Sequence, residues 1–188
     1  MKKEYIFVGI ILVVLAIMGI FLLNNNKKEQ SIINNAEDMK KMINTIYKDI
    51  ELPSLETITI DVNNKDEVSL YTGLKANTDV EELVVSVPLM NAQAYSLAVV
   101  KVKENADIEK MKNEMLENIN MSRWVCVTAE KLYITNNGNV IFLVMASEDW
   151  AKPVYEGFKK YVNNNIGKEL KKTADNTAIE LPPEMKVN

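Results

Sequence analysis

Residues 6–23 read IFVGIILVVLAIMGIFLL, an apolar run with no charge and no polar stripe. At about 1.5 Å of rise per residue, such a helix nearly crosses a hydrocarbon layer of about 30 Å, and Tyr5 extends it to the interface. A buried core helix would carry a polar face and caps, whereas this run is flanked by Lys2-Lys3 and by Asn24-Asn25-Asn26-Lys27-Lys28. It predicts a transmembrane helix in contact with membrane lipid. A cleaved signal peptide would have a shorter apolar core, of about 7 to 15 residues, and a small-residue cleavage site. No such site follows Leu23, and no cysteine stands there for lipid attachment, so an uncleaved signal anchor is the preferred reading. Lys2, Lys3 and the terminal amine nearly balance Lys27 and Lys28 under the positive-inside rule. The short N-terminal tail, residues 1–5, resembles the start of an export signal and favours the domain outside the membrane.

After a polar spacer at 24–30 the pattern changes. Ile32, Ala36, Met39, Ile43, Ile46 and Ile50 recur at steps of three and four, which predicts an amphipathic helix with Ser31 or Asn34 as its cap and Leu52-Pro53 as its stop. Residues 55–62 alternate as a half-buried strand, and a short helical piece is expected at 65–70.

The centre of the chain reads as two strand-turn-strand-helix units. In the first, residues 82–89 and 95–103 are β-rich runs around Met90-Asn91-Ala92-Gln93, and Ile108, Met111, Met115 and Ile119 mark the following helix. In the second, 131–135 and 139–146 flank Asn136-Asn137-Gly138, a hairpin signal because Asn-Gly tolerates positive φ. Trp150, Val154, Phe158 and Val162 form the stripe of a final helix. The expected fold class is α+β, a mainly antiparallel sheet of about four to five strands with helices on one face, spanning 31–170. Residues 123–128 (RWVCVT) fit either a short strand or the end of the preceding helix, and 171–188 read as a loose tail.

Composition narrows the chemistry. There is no histidine, which removes the usual metal ligand and the usual general base. The only cysteine, Cys126, cannot form an internal disulfide or a thiolate metal cluster. A net charge of −4 gives no reason to expect nucleic acid, whose binding rests on Lys and Arg. Phosphate-binding glycine loops, nucleophile-elbow serines and Ser-x-x-Lys arrangements are missing. Glu104 with Asp107, and Glu148 with Asp149, are candidate acid-base pairs, but each sits where a strand gives way to a helix and acids favour the helix start. Asp61, Asn63, Asn64, Asp66 and Glu67 supply oxygen donors in one loop, without the glycine and glutamate of an EF-hand, so a solvated turn is preferred to a calcium site. Trp124, Cys126 and Trp150 suggest either a ligand pocket or core, with core preferred. Met111, Met115 and Met121 read first as core and second as an adaptable surface.

Pro88-Leu89-Met90-Asn91-Ala92, Ala98-Val99-Val100-Lys101-Val102-Lys103 and Gly138-Asn139-Val140-Ile141-Phe142-Leu143-Val144-Met145 resemble the bacterial family catalogued as domain of unknown function 4358. The resemblance covers about a third of the chain. It implies an extracytoplasmic domain in a Gram-positive bacterium and brings no catalytic residue; the lipid-modified cysteine of some members has no counterpart here. The expectation is a non-enzymatic interaction domain at the cell envelope, without metal or cofactor, contacting an envelope protein or cell-wall component, with the open sheet edge as the first surface to consider. The rivals are a carboxylate-dependent hydrolase and a small-ligand sensor with a cavity near Trp124 or Trp150.

Overall fold

Two runs in the middle of the chain have no polar face to offer water. Tyr95–Val102 (YSLAVVKV) and Val140–Ala146 (VIFLVMA) are apolar at nearly every position, and a strand of that kind needs cover on both sides. The computed structural model describes residues 31–90 and 92–174, so the apolar run 6–23 and the spacer 24–30 lie outside the described residues. The chain divides into two units, Met1–Gln30 and Ser31–Asn188, and every described residue belongs to the second. Among the described residues, no helix is long and apolar enough to cross a membrane.

In chain order the elements are α1 (Ala36–Tyr47), β1 (Leu55–Ile60), α2 (Lys65–Thr72), β2 (Val80–Pro88), β3 (Tyr95–Val102), α3 (Ile108–Asn118), β4 (Lys131–Asn137), β5 (Val140–Ala146), α4 (Glu148–Tyr161) and β6 (Leu170–Thr173). The strands form one six-stranded sheet in the order β1-β2-β3-β5-β4-β6, antiparallel throughout. The class is α+β, as expected.

The helices do not share one face. Alternate residues of the central strands point to opposite sides: Leu97, Val99, Phe142 and Val144 meet Met42, Ile43, Val154 and Phe158 of α1 and α4. Ala98, Val100, Ile141 and Leu143 belong to the other core, with Val68, Met111 and Met115 of α2 and α3. The physical reason is the composition of β3 and β5, buried along almost their whole length. The two strand-strand-helix units exist, joined by the β3–β5 pairing, but α3 and α4 go to opposite faces. The sheet also gains a sixth strand, because Leu170–Thr173 pairs with β4 from Ile134 to Lys131. The lysines Lys171 and Lys172 conceal this strand from a hydrophobicity argument and suit an edge position.

Local rules explain most boundaries. Asn35, not Ser31 or Asn34, caps α1 by accepting from the Asp38 N–H at 3.0 Å. Ser31 is buried instead, its hydroxyl donating to Asn137 Oδ1 at 2.9 Å. Asn137 also accepts from the Ile32 N–H and donates to the Asn165 carbonyl. Because Asn137 pairs with Val140, the hairpin turns on Gly138-Asn139, one residue later than the Asn-Gly signal suggests, with Gly138 at φ 53°. Ser31 therefore enters the domain at the hairpin end of the sheet. At the far end lie Tyr95, Ala146, Lys131 and Leu55, the positions where β3, β4 and β1 begin and β5 gives way to α4.

Lys112 of α3 is fully buried, and its ammonium donates to Asn136 Oδ1 at 2.7 Å and to the Lys168 carbonyl at 2.8 Å while pairing with Glu109 at 2.6 Å. One cation thus joins a helix, an inner strand and the loop that delivers β6. The loop approaches so closely that a Cβ at Gly167 would fall 2.1 Å from Asn136 Oδ1. Lys112→Met keeps the aliphatic stem but leaves two acceptors without their donor. It is expected to lower stability by about 1–3 kcal/mol in urea denaturation and to speed amide exchange in Leu170–Thr173 more than in β5. Unchanged stability and exchange would show that the ammonium holds nothing together.

Candidate functional site

The residues singled out by sequence are scattered. Asp107 caps α3, accepting from the Lys110 N–H at 3.0 Å. Glu148 and Asp149 occupy the first turn of α4, where the helix dipole favours them, and Glu148 pairs with Lys131 at 3.6 Å. In the 61–67 loop, Asp61 Oδ1 accepts from the Asn63 N–H and side chain, and Asn64 caps α2. Among the described residues, no group of three acidic or cysteine side chains could hold a metal ion. Trp124 belongs to the α2/α3 core and Trp150 packs against the α1/α4 core, so the sheet separates them and they line no common pocket. Met111, Met115 and Met121 are buried with Trp124. Cys126 is exposed rather than a small buried hydrophobe, and its backbone has φ 61°.

The 123–128 stretch is a loop, and Arg123 explains why. Its guanidinium lies 4.9 Å from the Tyr71 ring centre and 5.0 Å from the Trp124 ring, and donates to the Leu70 carbonyl at 2.8 Å. Burial lowers its pKa to about 10, so it stays charged at neutral pH. A strand would have to break this cation–π stack.

Among the described residues, an open groove of about 570 Å³ lies at the far end of the sheet. Asp49, Ile50, Glu51, Leu52 and Pro53 form one wall, Asp149, Trp150 and Pro153 of α4 another, and Gln93 closes it. Half-buried Tyr47 and buried Tyr95 join two of the chain segments that form its walls. The hydroxyls of Tyr47, the last residue of α1, and Tyr95, the first of β3, lie 2.7 Å apart. Burial pushes Tyr47 up to about 12 and Tyr95 well above its ordinary 10.0, so both stay protonated and keep this bond. The tether fixes the chain that leaves α1 beside the chain that enters β3.

The groove's charged groups share one sign. Asp49, Glu51 and Asp149 are exposed carboxylates with no hydrogen bond or ion pair to any described residue. Asp49 and Glu51 follow the C-terminal end of α1, where the helix dipole disfavours negative charge, so capping does not account for them. Pro153 has no N–H, so the Asp149 carbonyl loses its helical donor four residues on. Gln93 Oε1 is buried and accepts from no described residue. No lysine or arginine lines the groove. Leu89 and Met90, 65% and 60% exposed, adjoin it, because the Leu89 N–H donates to the Ser54 carbonyl and Met90 accepts from the Gln93 N–H. Trp150 was visible in sequence as a candidate; Asp49, Glu51 and Gln93 were not. The acidic pair just past an α-helix was the available signal.

A second polar assembly lies on the α1/α4 face. Tyr155 is buried, stacks on Tyr133 at 4.8 Å and donates to Glu169 Oε1 at 2.6 Å. That hydrogen bond, with Lys159 and Lys171 nearby, holds the Glu169 carboxyl below its ordinary 4.5 against partial burial. Burial and the carboxylate together raise Tyr155. Like Lys112, this contact fastens the chain leading to β6.

Comparison with protein-family models, with curated proteins and with solved structures finds no match to this chain.

Glu169 has a depressed pKa in the folded state, so its contribution to stability is present above 4.5 and is lost as pH falls through the lower folded value. Glu169→Gln is expected to be less stable than the parent at pH 7, with the gap closing below pH 4.5. Denaturation series at several pH values measure this, and a gap that stays constant into acid would remove the role assigned to the carboxylate.

Proposed function

We propose that the protein is a single-pass membrane protein whose 31–174 domain works as a binding module outside the cytoplasm, with residues 6–23 as an uncleaved signal anchor. The groove beside Trp150 is its contact face, and the role is non-enzymatic. The observation that carries this reading is the placement of unpartnered groups within the domain. Ser31 enters at the hairpin end, tied to Asn137, while the groove with its free carboxylates and exposed Leu89 and Met90 lies at the other end. The apolar run and its charged flanks support the anchor, and the resemblance of the central strands to an extracytoplasmic family implies the same side of the membrane. An envelope protein or cell-wall component is the expected partner.

Two measurements test this. Protease added to intact spheroplasts is expected to digest the domain without lysis; protection until lysis would overturn the outside placement. A photo-crosslinking p-benzoylphenylalanine at Pro153, in the groove wall, is expected to give a discrete adduct in cells, whereas the same group at Lys103, at the hairpin end, gives none. Equal adducts from both positions, or none from Pro153, would remove the groove as the contact face.

A further inference from the structure

We propose that the groove takes a cationic peptide segment, an extended stretch with a lysine or arginine beside an apolar side chain. The inference rests on the groove being the contact face argued above and adds the chemistry of its occupant.

Three features lead to this class. First, the charged groups of the lining are all carboxylates, and those of Asp49, Glu51 and Asp149 pair with nothing among the described residues. Such a surface complements a ligand rich in N–H donors and positive charge, and it would repel an acidic one. Second, the carboxylates stand on two separate walls and do not converge into a metal-holding cluster. A point cation has no cage here, whereas charge spread along a chain can meet both walls. Third, Ile50, Leu52, Pro53, Trp150 and Pro153 supply apolar lining, and Leu89 and Met90 extend it. A polyamine would leave that lining in water, while an aliphatic side chain next to a basic one would cover it. The half-buried indole of Trp150 adds a face for a cation. About 570 Å³ falls within the range of small-ligand sites and suits a few residues of a peptide rather than a folded surface.

The test uses the full chain in nanodiscs of phosphatidylcholine, whose zwitterionic headgroups do not collect basic peptides. It is titrated with acetyl-KLKL-amide, its glutamine and glutamate counterparts, and spermidine, read by calorimetry and tryptophan fluorescence. Trp150→Phe identifies the groove's share of the fluorescence change. The lysine peptide is expected to bind at least about tenfold tighter than the other three. Asp49→Asn/Glu51→Gln/Asp149→Asn is expected to weaken it at least about tenfold, and the parent's affinity should fall as salt rises. These acids are exposed, and an unchanged circular dichroism spectrum and melting temperature would confirm that the variant folds. Equal binding of the lysine and glutamine peptides, full binding by the neutralised variant, or spermidine binding as tightly as the peptide would each overturn the proposal. A Trp150-dependent preference for the glutamine peptide would sink the cationic class while supporting the contact face. Absence of any peptide signal, together with no adduct from Pro153, would sink both.

Discussion

The fold depends on the pairing of β3 with β5. Seven consecutive residue pairs, from Tyr95↔Ala146 to Lys101↔Val140, place the two most apolar strands side by side at the middle of the sheet. Both are buried on both faces, so a single helical layer would leave half of their side chains in water. Burying an aliphatic side chain contributes roughly 1.5–3 kcal/mol, so exposing one face of two such strands costs more than the whole stability of a typical domain. Cover on both faces is therefore compulsory, and α1 with α4 on one side and α2 with α3 on the other supply it. The stacked rings of Phe142 and Phe158, 4.2 Å apart, show how close the α4 layer comes.

Given those layers, the polar connections have a distinct task. Strong hydrophobic burial fixes which strands are central but not where the poorly apolar ends of the chain go. Ser31 and the strand β6 have little to bury, and buried polar side chains place them: Asn137 takes Ser31 and Ile32, Lys112 takes the Lys168 carbonyl, and Tyr155 takes Glu169. Each donor or acceptor would be costly to leave unmet inside the protein, so the geometry that satisfies all of them is strongly preferred over slipped alternatives.

This division also decides what could be read from the sequence. Elements set by periodicity were legible to within a few residues: the stripe from Met39 to Ile46, the helix of Met111 and Met115, the stripe from Val154 to Phe158, and both central hairpins. The two-sided burial was present in the unbroken VIFLVMA run, but a pattern of alternating strands elsewhere, as in residues 57–62, pointed to one wet face. β6 was not legible, because its residues Leu170, Lys171, Lys172 and Thr173 carry no hydrophobic signal and its place is set by Lys112 and by pairing with a distant strand. The same limit hid the groove. Asp49, Gln93 and Asp149 are far apart in sequence and meet only because the Tyr47–Tyr95 bond and the β3–β5 register bring three chain turns to one end of the sheet.

The two ends of the sheet then differ in a way that folding alone does not require. At the hairpin end the polar side chains satisfy one another: Ser31 with Asn137, Asn137 with Asn165, Asn139 with the Val102 carbonyl, Asn136 with Lys112. At the far end, Asp49 and Glu51 sit against an unfavourable helix dipole, a proline withholds a donor from the Asp149 carbonyl, and Gln93 Oε1 is buried without a partner. Each of these weakens the isolated domain slightly, and no contact within the described residues offsets them. Local choices that run against stability concentrate where a ligand completes the structure. An occupant that brings positive charge to that end would pair with carboxylates that no described residue neutralises, which neither a neutral apolar ligand nor an anion can do.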